Sequence, residues 1–242
     1  MDNITLLSCS YNTPDVTISM LKSFFSLHEK TKVLICENST NDDTVKLLDE
    51  HSVPYIRNVG GLHSPSVDIL IENCKTDYAL LVDTDVIFLK NHEQVFDEFK
   101  KFGATLLGTV CGDRGGKKLH YRVHPWHCFI NIKHIKEHGI KFFDVVRQSD
   151  KTGRIYDVGA TFFEDVRKCG LKIGDVNLQD DYYIHYEGMS WRTLKYGEND
   201  GDIDLNPSDT HNNLDLYKHG LLIERLYKDR TPKYDSVKIK AI

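Results

Sequence analysis

The chain has 242 residues, of which 40% are hydrophobic, 10% aromatic and 28% charged, a composition that excludes collagen-like, mucin-like and wholly disordered proteins. A chain of this length buries roughly three quarters of the surface it exposes when unfolded, enough for one elaborate domain. Its 31 Lys and Arg against 36 Asp and Glu give a net charge of −5, so it has no overall field to attract nucleic acid.

Ile4 to Cys9 is a short apolar run ending in the polar Ser10-Tyr11-Asn12, after which Thr13-Pro14 opens a helix with Val16, Met20, Leu21, Phe24 and Leu27 near helical spacing. The alternation repeats: a strand over Lys32 to Cys36, a polar loop Glu37-Asn38-Ser39-Thr40-Asn41, a helix over Asp43 to Glu50, and a strand over Val53 to Arg57. A glycine loop, Asn58-Val59-Gly60-Gly61-Leu62-His63, follows. Ser64-Pro65 reads as a cap with a first-turn proline, and Val67 to Asn73 as helix. Tyr78 to Val82 is apolar throughout, as a central strand covered on both faces should be. Three βα units ahead of such a strand predict an α/β fold with a doubly wound, mostly parallel sheet.

Asn91, with Gln94 three residues on, predicts the start of a short helix, followed by an apolar run from Ala104 to Val110. Gly112 to Arg122 is a basic, glycine-rich loop. Strands are expected over Cys128 to Ile132 and Leu171 to Val176, with a helix from Val158 to Cys169 stopped by Gly170. Past the polar stretch 197–213, Leu214, Tyr217, Leu221 and Leu226 predict a last amphipathic helix. One domain over 1–242 is expected: a nucleotide-binding half to about 95, an acceptor half to about 200 and a C-terminal helical extension.

Six cysteines without a CxxC pair are expected to be free thiols, fitting neither a zinc ribbon nor a disulfide scaffold. The N-terminus has no basic region followed by an apolar run, and no 18-residue apolar stretch occurs, so no transmembrane segment and a cytoplasmic location are expected.

The sharpest chemical feature is Leu80-Leu81-Val82-Asp83-Thr84-Asp85, two carboxylates closing an apolar strand. At the carboxyl edge of a parallel sheet such a pair calls for a positive partner, naturally a divalent cation shared with a phosphate. Surface turn aspartates are the plainer alternative. Two enzyme classes place Asp-x-Asp at a strand end, and context separates them: phosphatases of the haloacid dehalogenase type carry theirs near the start of the chain, followed by Gly-Thr, whereas here three βα units precede it and Val86-Ile87 follows.

From Ile4 to Trp191 the chain resembles the GT-A glycosyltransferases, particularly their inverting, metal-dependent branch. Ser10-Tyr11-Asn12-Thr13-Pro14 resembles that family's first loop, Glu37-Asn38-Ser39-Thr40-Asn41-Asp42 its acidic second loop, Asn58-Val59-Gly60-Gly61 the loop before its third helix, and Asp83-Thr84-Asp85 its Asp-x-Asp motif. Tyr156-Asp157 ahead of Gly170-Leu171-Lys172-Ile173 is similar to its Glu-Asp segment, and His185-Tyr186-Glu187-Gly188 to its late histidine. The resemblance implies a nucleotide-sugar donor beside Ser10, Tyr11 and Asn12. It places Glu37 and Ser39 at the base or ribose, with an exposed loop acid as the alternative for Glu37. Asn58, Gly60 and Gly61 would lie near the donor phosphates, with Asp83, Thr84 and Asp85 closing the nucleotide site.

The same resemblance implies Mn²⁺ or Mg²⁺ held by Asp85 and His185, with Asp83 on the metal, its water or a ribose hydroxyl; imidazole beside carboxylates favours Mn²⁺. Asp157 is the candidate base, or alternatively a helix cap, and Asp150, Glu164 and Glu187 are the other carboxylates in reach because Tyr156 replaces the usual Glu. Trp126 and Trp191 offer flat faces for an acceptor sugar, or else are buried anchors. Arg114, Lys117, Lys118 and Arg122 either close over donor phosphates or are solvated. The implied activity is transfer from a UDP-sugar to a glycan, glycoprotein or other hydroxyl acceptor. Two rivals stand beside it: a Mg²⁺-dependent phosphohydrolase with Asp83 as nucleophile and a second acidic motif at Gly174-Asp175 and Asp180-Asp181, and a non-catalytic nucleotide-binding domain.

Overall fold

A computed structural model describes residues 2–113, 116–142, 150–186 and 237–242. The first half follows the expected alternation: β1 (Ile4–Ser10), α1 (Pro14–Leu27), β2 (Lys32–Glu37), α2 (Asp43–Glu50), β3 (Tyr55–Arg57), α3 (His63–Asn73) and β4 (Tyr78–Asp83). Then come β5 (Val86–Phe88), α4 (Glu93–Phe102), β6 (Leu106–Cys111), β7 (Arg122–Asn131), α5 (Ile132–Glu137), α6 (Ala160–Lys168), β8 (Ile173–Asp175), β9 (Tyr183–His185) and β10 (Lys240–Ala241).

Eight strands form one sheet in the order β10-β8-β6-β7-β4-β1-β2-β3. The pairs β1–β2, β1–β4, β2–β3 and β6–β8 are parallel, while β7 runs antiparallel between β4 and β6. Because strand side chains alternate between faces, neighbouring residues of β1 and β4 enter opposite cores. Leu6, Leu80 and Val82 meet Phe24 of α1 and Phe96 and Phe99 of α4. Leu7 and Leu81 meet Val67 and Leu70 of α3, Ile135 of α5 and Phe162 and Phe163 of α6. Each fully buried side chain of this size contributes roughly 1.5–3 kcal/mol, and two covered faces explain why β4 carries an apolar run rather than an alternating one.

Five boundaries depart from the sequence reading. Ser64 does not cap α3; the helix begins at His63, with Leu62 before it. Helix α6 begins at Ala160, two residues late, because Gly159 takes a left-handed turn (φ 85°) ahead of it. Strand β7 starts six residues before the expected Cys128 and passes through Pro125. This proline is tolerated because β7 bulges there: Gly108 pairs with Cys128 and Val110 with Val123, leaving the residues between off the β6 ladder. Ile132 opens α5, anchored by the Asn131 side chain accepting from the His134 N–H, rather than ending a strand. At the C-terminus, Lys240–Ala241 adds a strand to β8, and the helix expected over 214–226 lies outside the described residues. All six cysteines are free.

Candidate active site

The parallel order β3-β2-β1-β4 brings the ends of four strands to one edge of the sheet, and with them the loops singled out in the sequence. The first and second loops are zipped together. The Asn12 N–H donates to Ser39 Oγ at 2.7 Å, Asn12 Oδ1 accepts from the Thr40 N–H at 3.1 Å, and the Asn38 N–H donates to the Ser10 carbonyl at 2.8 Å. Asn12 takes a left-handed conformation (φ 50°) to do so, which Asn tolerates better than most residues. Ser10 is buried, its hydroxyl 3.1 Å from that of Thr17, while Tyr11 stays half-buried at the loop tip.

Glu37 is not an open loop acid. It is 0% exposed; one carboxylate oxygen accepts from the Ser39 N–H and the other pairs with Arg57, which also holds Asp42. Asn58 ties the glycine loop to the same corner, donating to Asn38 Oδ1 and lying 3.1 Å from the Ser66 hydroxyl. That packing makes Gly61 obligatory: a Cβ there would stand 2.0 Å from Asn58 Nδ2 and 2.8 Å from Asn38 Oδ1. Gly60, at φ 69° in open space, serves the turn itself.

Asp83 ends β4, Thr84 turns beneath it in the core, and Asp85 precedes β5. Strand β5 forms an antiparallel ribbon with β9 in which Val86 pairs with His185, and the Tyr186 N–H donates to the Asp85 carbonyl at 2.9 Å. A histidine a hundred residues downstream is thereby delivered to the acidic pair. His185 Nε2 lies 3.2 Å from Asp85 Oδ1 and 3.9 Å from Asp83 Oδ2, and ligand atoms from all three residues fall within 4.8 Å of one another. Among the described residues this is the one such group of three. Asp85 is 1% exposed, a depth at which a carboxylate needs positive charge beside it. Two carboxylate oxygens and an imidazole nitrogen suit Mn²⁺ well.

His63, at the start of α3, approaches from the other side, its Nε2 3.5 Å from Asp83 Oδ1. Burial pushes the Asp83 carboxyl up, but the hydrogen bond and charge of His63 and the charge of His185 outweigh it and leave the group below the usual carboxylate range. In the sequence His63 stood only as the end of a glycine loop; its place in the first turn after Gly60-Gly61 was the available signal.

On the other side of the site, Asp157 is not a helix cap. Its Oδ2 lies 2.8 Å from Arg122 Nη1 and its Oδ1 accepts from the Val158 N–H. Arg122 is 5% exposed, so it braces this carboxylate and does not belong to a mobile phosphate-closing loop. Asp150 and Glu164 both face His120, at 2.9 Å from Nε2 and 3.2 Å from Nδ1, and the imidazole stacks on Tyr156 at 3.8 Å. Trp126 is 8% exposed, with the His124 ring 3.8 Å and the stacked His185 ring 4.7 Å from its indole. The open platform for a sugar ring that the sequence offered is therefore covered. Trp191, Glu187 and Arg114 lie outside the described residues.

The sequence profile of glycosyl transferase family 2 matches residues 5–169, more than half of the chain. The chain belongs to glycosyl transferase family 2. It has the GT-A fold, and Asp83, Asp85 and His185 lie together at one edge of its sheet. No curated protein sequence matches it.

Solved structures similar to this glycosyltransferase include TarS 1–349 from S. aureus in complex with UDP-GlcNAc (TM-score 0.54, 15% identity, covering 94% of this chain and 68% of that one). Glucosyl-3-phosphoglycerate synthase from Mycobacterium tuberculosis, with Mn²⁺, UDP and glucosyl-3-phosphoglycerate, is similar too (TM-score 0.52, 14% identity, 84% and 82% covered). So is the mannosyltransferase PcManGT from Pyrobaculum calidifontis, with GDP-Man and Mn²⁺ (TM-score 0.50, 9% identity, 66% and 55% covered). At these identities the likeness is one of fold. The chain spans about half the length of that mannosyltransferase and 44% of a longer TarS structure.

The phosphohydrolase reading fails on geometry as well as on family. Asp181 pairs with Lys90, and Asp175 accepts from the Val110 N–H on the far strands, so neither joins Asp83 and Asp85. Among the described residues no helix is long and apolar enough to cross a membrane.

Proposed function

We propose that this family 2 enzyme transfers a sugar from a nucleoside diphosphate donor, a UDP-sugar, to an acceptor hydroxyl with inversion, assisted by Mn²⁺ at Asp83, Asp85 and His185. The observation that carries the reading is the β5–β9 ribbon, which sets His185 Nε2 3.2 Å from Asp85 at the end of a central strand. The Mn²⁺-bearing, nucleotide-bound relatives of the same fold support it. A bound divalent ion supplies charge against the diphosphate as the sugar leaves.

The chain's own residues then divide the work. Asp85 and His185 would hold the ion, and Asp83, steadied by His63, would join them or take a ribose hydroxyl. Tyr11 and Asn12, at the tip of the zipped loops, border the nucleotide. With Glu37 locked by Arg57, that corner recognises the base through the edges of the 37–42 loop and the Arg57 guanidinium rather than through a free carboxylate. Asp157 takes the acceptor hydroxyl proton as the oxygen attacks the anomeric carbon from the face opposite the diphosphate, and Arg122 holds its carboxylate in place. Asp150 and Glu164 suit that task less, since both are engaged with His120.

The test is Mn²⁺-dependent release of UDP from a panel of UDP-sugars, with the anomeric configuration of the product read by NMR. UDP release with inverted product is expected. Activity confined to GDP or dTDP donors, indifference to Mn²⁺, or retained configuration would each overturn the corresponding part.

A further inference from the structure

We infer that Trp126 is the positioning residue of the metal site: its indole is the slab against which the His185 imidazole is held in ligating orientation. The inference rests on the proposed metal role of His185.

The ring planes of Trp126 and His185 lie 15° from parallel with centroids 4.7 Å apart, and the His124 ring, tilted by 32°, lies 3.8 Å from the indole. Two flat rings are thus stacked, contributed by two chain segments about sixty residues apart in sequence. Backbone pairing alone cannot do this job. The Val86–His185 pairing fixes where the His185 Cα stands, but the χ2 torsion of histidine is a broad, roughly two-fold well, so the imidazole can turn without disturbing the ladder. A quarter turn would swing Nε2 off Asp85 Oδ1. A flat wall on the ring face removes that freedom before the ion arrives, lowering the ordering cost of coordination. Contacts outside the ligands that orient a metal-bound histidine ordinarily act through hydrogen bonds to its second nitrogen; here a face contact adds to that control.

The β7 bulge explains how the indole reaches this place. The β4–β7 ladder ends at Val82 with His127, and β6 pairing skips from Cys128 to Val123, so Trp126 lies in the stretch released from the β6 ladder and turned toward β9. Gly108 permits the bulge. A Cβ on it would stand 2.7 Å from Val123 Cγ1 and 2.8 Å from the His127 carbonyl. The bulge thus places the Trp126 indole, 8% exposed, against His185.

The experiment compares the unaltered chain with Trp126→Phe, which keeps a flat face, and Trp126→Leu, which keeps apolar bulk without one. Mn²⁺ binding is titrated by electron paramagnetic resonance in the presence of UDP and no acceptor, so turnover plays no part. Trp126→Leu should weaken Mn²⁺ by about 10- to 100-fold, and Trp126→Phe by less than about threefold, the range within which a retained contact usually leaves affinity. Equal affinity in all three would overturn the inference, as would equal loss in both variants.

A measurement on the unaltered, metal-free chain decides the matter even where Trp126→Leu fails to fold by circular dichroism. The His185 ring protons should show an upfield ring-current shift in NMR, and ordinary shifts would overturn the stacked geometry. No Mn²⁺ binding by the unaltered chain, with that upfield shift present, would instead overturn the metal reading on which the inference rests.

Discussion

The two halves of the site are built by different means. On the proposed donor side, Ser10, Asn12, Glu37, Ser39, Asn58 and Asp83 lie at successive strand ends of a parallel sheet, so residues close in motif order are neighbours in space, and hydrogen bonds between loops hold them together with the Arg57 pairs to Glu37 and Asp42. On the proposed acceptor side the elements are antiparallel and irregular. Trp126 arrives through a bulge in β7 and Asp157 through a left-handed turn, with ion pairs such as Arg122–Asp157 doing the fastening, while β9 brings His185 in between the two halves. Parallel topology yields a site by repetition of one local unit; antiparallel pairing yields it by register between distant segments, where one slipped residue reverses a face.

That contrast is open to attack by mutation, and the largest effect should come where the halves meet. Asp85→Ala removes a buried carboxylate proposed to hold the ion and should cut Mn²⁺-dependent transfer roughly 10³-fold or more, measured as UDP release; it should also abolish the rise in melting temperature expected from Mn²⁺ with UDP. Asp157→Asn lies wholly on the acceptor side. It should lower kcat by about 10²-fold or more while leaving Mn²⁺ and UDP affinity unchanged, and a matching loss of affinity would show that the halves are not separable in this way.

Gly108→Ala attacks the bulge. Its Cβ would press on the His127 carbonyl at 2.8 Å, costing about 1–3 kcal/mol of overpacking in a denaturant titration. Gly60→Ala meets no atom and strains only its turn, so it should cost less, about 1 kcal/mol.

The last test changes pH and reads stability alone. His28, His92 and His127 form a buried file in the core, with His28 Nε2 3.4 Å from His92 Nδ1 and His92 Nε2 3.1 Å from His127 Nε2. Burial lowers all three: His28 to about 4, His127 to about 3, and His92 well below its ordinary value. These imidazoles stay neutral in the native state while the unfolded chain protonates near 6.5, so their stabilising contribution is full above that pH. It is lost as pH falls through 6.5 toward 4, at about 1.4 kcal/mol per pH unit for each proton that the unfolded chain alone binds. Urea titrations at pH 7.5, 6 and 5 measure the slope, and His92→Leu should flatten it.

The amino-acid sequence by itself determined the α/β class, the three opening βα units, the Asp83-Thr84-Asp85 strand end and the loops around it. The reason is that hydrophobic periodicity and turn chemistry are local, and a parallel sheet converts local order directly into neighbourhood. The tertiary structure decided the rest. It locked Glu37 onto Arg57, gave Arg122 to Asp157, stacked His185 on Trp126 and set His63 and His185 beside Asp83. Those outcomes depend on pairing register and on a charge meeting its opposite across tens of residues, and no window of sequence contains both partners at once.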